Sequence, residues 1–361
     1  MDRDFGIVGF QAASPRIAVV GAGLIGQRHM RLLLRSPDCH LAAVVDPDPP
    51  AADLAERAGV RWHRTLDDLL ASDPPDGAIV ATPSDLHVAH ATACLAAGVA
   101  VLVEKPISTT VADGLRLTET AEAHGVPLLV GQHRRHSPVL IAAREIIGQG
   151  VLGELVAASS TTWLVKPPDY FDAAPWRRQP GGGPILINLI HDVDALRMLV
   201  GEVVAVQAMA SSRVRGFPVE DTVAATLRFA GGALGSVLVS DTAASPLSWE
   251  MTSGEDPAFP HHAERDCYVI AGTRGSLALP SMRLMTYDAE PSWTSPSRTV
   301  TAPVQRGDPL SRQLAHFCEV VRGRAEPAVS GRDAVETLRV TLAIAEAART
   351  GHPIGRGAAE P

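Results

Sequence analysis

The chain has 361 residues, 46% of them hydrophobic and 20% charged with both signs interspersed, which excludes a disordered chain and leaves ample core for two domains. The 40 acidic against 32 basic side chains leave a net charge of −8, and no Lys/Arg cluster is interleaved with aromatics, which argues against a nucleic-acid partner. No apolar stretch reaches membrane-spanning length, and the opening MDRDFGIVGF lacks the basic and long apolar regions of a signal peptide, so the expectation is a cytoplasmic protein without a membrane partner.

RIAVVGAGLIGQRHMRLLL, residues 16–34, starts as an apolar strand, passes through three glycines and resumes as a helix. Gly21, Gly23 and Gly26 keep the G-x-G-x-x-G spacing, in which a bare backbone lets a pyrophosphate reach main-chain N–H groups at a helix N-terminus; Leu24 and Ile25 complete the loop. The next apolar run, HLAAVVDPD, ends in Asp46, about twenty residues past the last glycine, where a carboxylate accepts ribose hydroxyls and repels a 2′-phosphate. That pattern favours NAD over NADP. An ordinary βα unit whose strand ends in Asp is the bland alternative.

Strand and helix then alternate. AADLAERAG reads as a helix, VRWHR as a short strand, TLDDLLAS as a helix with Thr65 as N-cap, DGAIVAT as a buried strand and DLHVAHATACLAAG as a helix. VAVLVEKP is another strand, STTVADGLRLTETAEAHG a helix capped by Ser108 and ended by Gly125, and VPLLVG a strand. This order predicts a doubly wound parallel α/β sheet, a Rossmann domain over residues 15–135.

After Gly150 the period changes to two. LVAASSTTWLV, VVAVQAMASSRV, DTVAATLRF, ALGSVLVS and CYVIAG read as strands around one clear helix, PILINLIHDVDALRMLVG. Residues 136–355 are therefore expected to form an α+β domain with a mostly antiparallel open sheet. Residues 289–309, rich in Pro, Ser and Thr, are expected to be a loop, with closing helices in LSRQLAHFCEVVRG and GRDAVETLRVTLAIAEAARTG. The four cysteines show no C-x-x-C spacing, and FPHHAERDC matches no zinc signature, so no metal site is expected.

LVEKPIS places Glu104 and Lys105 at the C-terminal end of a parallel strand, the edge at which open α/β sheets bind ligands. Lys105 there is suited to carry a proton between an alcohol and a ketone, or is a solvated lysine in a strand–loop transition; the residues alone leave both open. Asn188, His191 and Asp194, three apart, share a face of an otherwise apolar helix, where a substrate hydroxyl or a structural partner must satisfy them. GQHRRHSP supplies His133 and a pair of arginines, Arg134 and Arg135, that either clamp an anion or bridge elements of the fold. WLVKPPDYFDAAPWRRQPGGG adds Lys166, Trp176 and Arg177, aromatic and basic groups that suit a polyhydroxylated or acidic substrate, or simply a packed loop.

Taken together, GAGLIG at 21–26, TPSDLH at 82–87, EKP at 104–106, GQHRRHSP and GGG…HDVD at 181–194 resemble the Gfo/Idh/MocA family of NAD(P)-dependent oxidoreductases over essentially the whole chain. The resemblance implies a Rossmann domain followed by an α+β domain whose open sheet often forms oligomer contacts, hence a homodimer or homotetramer. It implies NAD as cofactor and Lys105 as the main proton-transfer residue, with His191 orienting substrate or relaying a proton. Thr82, Pro83, His87 and Glu104 would line the nicotinamide side, and the substrate would be a sugar, cyclitol or related polyhydroxylated compound. Many dehydrogenases of the family carry an aspartate four residues before the histidine, where this chain has Ile187. The adjacent Asn188 can hydrogen-bond a hydroxyl but cannot take its proton, leaving Lys105 to act with His191, Asn188 or Asp192. The expected activity is hydride transfer at a secondary carbinol; a redox-neutral lyase or glycosidase with a retained NAD, and a non-catalytic NAD sensor, are the alternatives.

Overall fold

A computed structural model describes residues 14–355. The opening segment read above as lacking a leader lies outside them. The described chain groups into two compact units, the first comprising residues 14–104 with Glu119–Leu129 and Leu314–Pro327, the second Lys105–Thr118, Val130–Gln313 and 328–355. A late segment, Leu314–Pro327, groups with the first unit, where Phe317 packs closely on Gly77.

The first unit is built on six strands, β1 (Arg16–Val20), β2 (His40–Val45), β3 (Arg61–His63), β4 (Gly77–Val80), β5 (Ala100–Val103) and β6 (Leu128–Val130), in the order β3-β2-β1-β4-β5-β6. β1 pairs in parallel with β2 and β4, as do β2 with β3 and β4 with β5. Every residue of β4 and β5 is buried, which is why these strands are uninterrupted runs of Gly, Ala, Ile, Leu and Val. The connections carry α1 (Leu24–Arg35), α2 (Pro50–Ala58), α3 (Leu66–Ser72), α4 (His87–Ala96) and α5 (Val111–His124). Strand order reverses beside β1, so the C-terminal ends of β1 and β4 flank the switch point at which such sheets bind ligands.

Thr65 caps α3 as expected, its hydroxyl accepting the Asp68 N–H. The cap of α5 is Thr110 rather than Ser108. The helix begins at Val111, so Thr110 is the residue placed to accept the Asp113 N–H at 3.1 Å, while the Ser108 hydroxyl donates to the Thr110 carbonyl.

In the second unit, α6 (Pro138–Gly148) leads to β7 (Leu155–Trp163) and α7 (Pro168–Asp172), then to α8 (Ile190–Val200). Next come β8 (Val203–Ser211), β9 (Thr222–Phe229), β10 (Leu234–Ser240), α9 (Trp249–Thr252), β11 (Tyr268–Gly272), β12 (Gly275–Leu279), β13 (Arg283–Tyr287) and β14 (Ser297–Thr301). α10 (Pro309–Val321), α11 (Gly331–Thr350) and β15 (Ile354–Gly355) close the chain. The nine-stranded order is β14-β13-β12-β11-β7-β10-β9-β8-β15; β7 and β10 pair in parallel and the other pairs are antiparallel. Alternate residues of β9 and β10 are buried, and their inward set, including Val223, Leu227, Val237 and Val239, forms one core with Val193, Leu196 and Ile344 of α8 and α11.

Two elements differ from expectation. Ser297–Thr301, expected as loop, is the edge strand β14: all five residues are exposed, so backbone pairing to β13 holds it and no apolar alternation announces it. The helix expected from Pro184 opens with a π turn, Ile185–Leu189, before α8 begins.

Candidate functional site

The glycine loop shows why its residues are bare. Gly21 has φ +96° and donates its N–H to the Val45 carbonyl at 2.8 Å; a Cβ there would come within 2.7–2.8 Å of the Ala81 and Thr82 backbone. A Cβ on Gly26 would run into the Gly21 carbonyl, so helix and loop can close only on glycine. Gly23, which begins α1, is different: a Cβ there meets nothing within 4 Å, no side chain caps the helix, and its first turn holds no acidic residue. This leaves the helix-initiating N–H groups facing open space, the arrangement that receives a phosphate. Leu24 is exposed beside it and Ile25 half-buried.

Asp46 stands at the end of β2 against this loop. Its Oδ2 accepts the Ala22 N–H at 2.7 Å and its Oδ1 the Asp48 N–H at 2.9 Å, which aims the carboxylate while each oxygen keeps a further lone pair for a ribose hydroxyl. The uncapped helix, the open position at Gly23 and the oriented Asp46 carboxylate fit a dinucleotide. At the same sheet edge, His87 donates from Nε2 to the Thr82 carbonyl (2.8 Å), the Thr82 hydroxyl meets His90 Nδ1 (3.2 Å), and Glu104 pairs with buried His29 at 2.8 Å. Pro83 is exposed after β4.

Lys105, the residue after Glu104, belongs to the second unit and is half-buried. Its Nζ donates to the Ile187 carbonyl at 2.8 Å, inside the π turn. π turns interrupt the regular carbonyl ladder and are frequent where a helix serves chemistry. Asn188 follows in the same turn, and its buried Oδ1 has no partner among the described residues. His191 is buried, edge-on to His133 with ring centroids 4.9 Å apart. Burial first, then Lys105, His133 and Arg134, hold its imidazolium well below the usual range, so the ring is neutral at pH 7. Its Nδ1 also lacks a partner among the described residues. Buried polar groups in native proteins are ordinarily satisfied, so Asn188, in the lysine-binding turn, and His191, just after it, await an outside partner.

The sequence model for the NAD-binding Rossmann fold of the GFO/IDH/MocA oxidoreductases matches residues 15–132, and the model for the GFO/IDH/MocA C-terminal domain matches residues 140–278. The chain belongs to the Gfo/Idh/MocA oxidoreductase family. It is 33% identical to the rhizopine catabolism protein MocA of Rhizobium meliloti over 187 residues, 52% of this chain and 57% of that protein, so it spans little more than half the length of that relative. It is 27% identical to inositol 2-dehydrogenase of Rhizobium meliloti (strain 1021) over 342 residues, 92% of this chain and 95% of the other. The WlbA dehydrogenase of Bordetella pertussis, solved in complex with NADH and UDP-GlcNAcA, superposes with a TM-score of 0.77 at 27% identity, covering 95% and 99% of the two chains. This Gfo/Idh/MocA protein is an oxidoreductase with an NAD-binding Rossmann domain.

Arg134 and Asp192, both expected at the substrate, are held within the fold of the second unit. Arg134 is 1% exposed and gives Nη1 to Asp192 (2.8 Å) and to the Tyr268 hydroxyl (2.8 Å), and Nη2 to Glu250 (2.6 Å). Asp192, equally buried, also accepts from Thr162 at 2.9 Å. Arg134 Nη1 and Nη2 and both Asp192 oxygens are thus engaged with one another and with the fold, while Arg134 Nε has no partner among the described residues. Arg135 and Asp194 likewise pair with each other through two bonds of 2.7 and 2.9 Å. Removing one partner of such a buried pair strands the other. Arg134→Met is therefore expected to lower unfolding stability by about 3–5 kcal/mol, read from the urea midpoint, with NAD affinity unchanged.

Lys166 is buried at the end of β7, Arg177 stacks on Tyr170 at 3.9 Å and donates to its carbonyl at 2.6 Å, and Trp176 is 56% exposed. Two residues near Lys166 had no signal in the sequence: Asp241, just past β10, and Arg215, between β8 and β9, whose Nε meets Asp241 at 2.7 Å. Both come from sequence-distant loops, and only strand pairing brings them together. No helix among the described residues is long and apolar enough to cross a membrane.

Proposed function

We propose that this protein is an NAD-dependent dehydrogenase acting on a secondary hydroxyl of a sugar, cyclitol or related polyhydroxylated compound, with Lys105 as the proton acceptor. The observation that carries the reading is Lys105 held by the Ile187 carbonyl beside two unsatisfied polar groups, Asn188 Oδ1 and His191 Nδ1. NAD, held by the Gly21–Gly26 loop and Asp46, supplies the hydride acceptor. Lys105 Nζ donates an N–H to the Ile187 carbonyl, which fixes its position towards the substrate hydroxyl. As the carbinol C–H leaves as hydride, the O–H proton passes to the lone pair of Nζ, which acts as the neutral amine and becomes the ammonium, and the C–O bond becomes a carbonyl; the reverse direction returns both. Neutral His191 orients a neighbouring hydroxyl, and the Asn188 carboxamide oxygen accepts a hydrogen bond from another. The relatives named for inositol oxidation and for a sugar-nucleotide complex support this substrate class. Net NADH formation from a polyol tests the reading; NAD that stays bound and unreduced during turnover favours the redox-neutral alternative.

The second unit also supports a homo-oligomer. By strand register, Met209, Leu234 and Val269 lie on the sheet face opposite the helices and are 78%, 58% and 41% exposed, three apolar side chains on one face that a second copy could cover. The double substitution Met209→Glu, Leu234→Glu is expected to lower the sedimentation mass to that of one chain; an unchanged mass rules out this face as the interface.

A further inference from the structure

Lys166 is 7% exposed, and its Nζ makes no hydrogen bond among the described residues. The carboxylate it faces, Asp241 Oδ2, is 3.6 Å away, and the other oxygen of Asp241 is taken by Arg215 at 2.7 Å. Arg215 thus takes the nearer oxygen of Asp241, and Lys166 is left with the looser contact. Glu220, whose Oε1 accepts the Ile185 N–H at 3.1 Å, is a further carboxylate near Lys166: burial pushes its carboxyl up, while the Ile185 N–H and the Lys166 charge hold it down. Burial pushes the Lys166 ammonium down to about 8; Asp241 offsets part of this, while Lys105 and Arg215 add to it. Lys105, the residue assigned to proton transfer, is among the cations that lower the Lys166 ammonium. The Tyr170 ring lies 5.2 Å from Nζ and carries Arg177 on it, a cation–aromatic layer beside Lys166.

Resting on the dehydrogenase reading above, we propose that Lys166 recognises a carboxylate on the substrate, which narrows the substrate class to acidic polyhydroxylated compounds. A single buried ammonium without a hydrogen-bond partner among the described residues matches a carboxylate better than a phosphate, which carries closer to two charges and favours an arginine fork. The flexible four-carbon stem lets the ammonium turn towards the bound group and exchange a loose 3.6 Å contact for a charge-assisted hydrogen bond.

The test is isothermal titration of the NAD-saturated protein with two matched pairs, D-gluconate against D-glucitol and D-glucuronate against D-glucose. The acid of at least one pair is expected to bind about 10- to 100-fold more tightly than its neutral partner. Lys166→Met and Lys166→Gln both erase that difference and leave NAD affinity unchanged; Lys166→Arg keeps part of it. In the unmodified protein, affinity for the acid falls as pH rises through about 8, where Lys166 loses its proton. No acid preference in either pair, or a preference that survives both Lys166→Met and Lys166→Gln, overturns the proposal. Lys105→Met separates the two readings: turnover surviving in that variant defeats the proton-transfer role, whereas the acid preference in binding is decided by Lys166 alone.

Discussion

Lys105→Met is expected to lower kcat by about a hundred- to ten-thousand-fold, the range that positioned acid–base groups contribute, while NAD affinity stays within about twofold. The size follows from chemistry: methionine has nearly the length of lysine and no titratable atom, so the substrate hydroxyl loses its proton acceptor. The second half of the expectation follows from placement. The dinucleotide loop and Asp46 make their contacts through β1, α1 and β2, and Lys105 is hydrogen-bonded to Ile187, outside that set. Because the loss is confined to the chemical step, KM for the polyol should move far less than kcat. Rapid-quench measurement of a single turnover beside NAD titration checks both halves; a proportionate loss of NAD affinity would reassign Lys105 to cofactor binding.

Asp46→Arg is expected to weaken NAD binding by about 10- to 100-fold, since each hydrogen bond to a charged group is worth about 1.5–3 kcal/mol, and to turn the preference towards NADP. Two effects add. The ribose hydroxyls lose their acceptor, and the Ala22 and Asp48 N–H groups lose the carboxylate that holds the loop in place. An arginine fork beside the ribose then meets a 2′-phosphate that aspartate repels. Comparing kcat/KM with the two cofactors checks it. Asp46→Ala separates the effects, because it removes the acceptor without adding a cation; NAD affinity unchanged in Asp46→Ala places the ribose elsewhere.

What the sequence discloses about this protein is what depends on short spacings. The glycine loop and Asp46 are legible because both belong to one βαβ stretch in which six residues of loop and about twenty of separation carry the geometry. Alternation of buried strands and helices discloses the parallel sheet for the same reason, and the period-two runs disclose most of the second sheet. β14 stays hidden because none of its residues is buried, so no pattern distinguishes it from a polar loop. Arg134 and Asp192 look like free polar groups near a substrate because their pairing spans 58 positions, and only the fold reveals that they meet. The polar line Asn188, His191, Asp194 assumes a regular helix. In fact Asn188 sits in a π turn, and Asp194 is committed to Arg135 and Thr337. A partner of Lys105 is the hardest to foresee: it is the backbone carbonyl of Ile187, and a carbonyl leaves no mark in a sequence.

The central claim is that hydride leaves a secondary carbinol as Lys105 takes the proton. The most direct measurement is nicotinamide reduction on incubating the purified protein and Lys105→Met in parallel with NAD and a panel of cyclitols, aldoses, aldonates and glycosides. The account predicts stoichiometric NADH and ketone from at least one polyol or its acid with the unmodified protein and essentially none with the variant. Equal rates from both proteins, or substrate consumed with no net NADH while NAD remains bound, would contradict it.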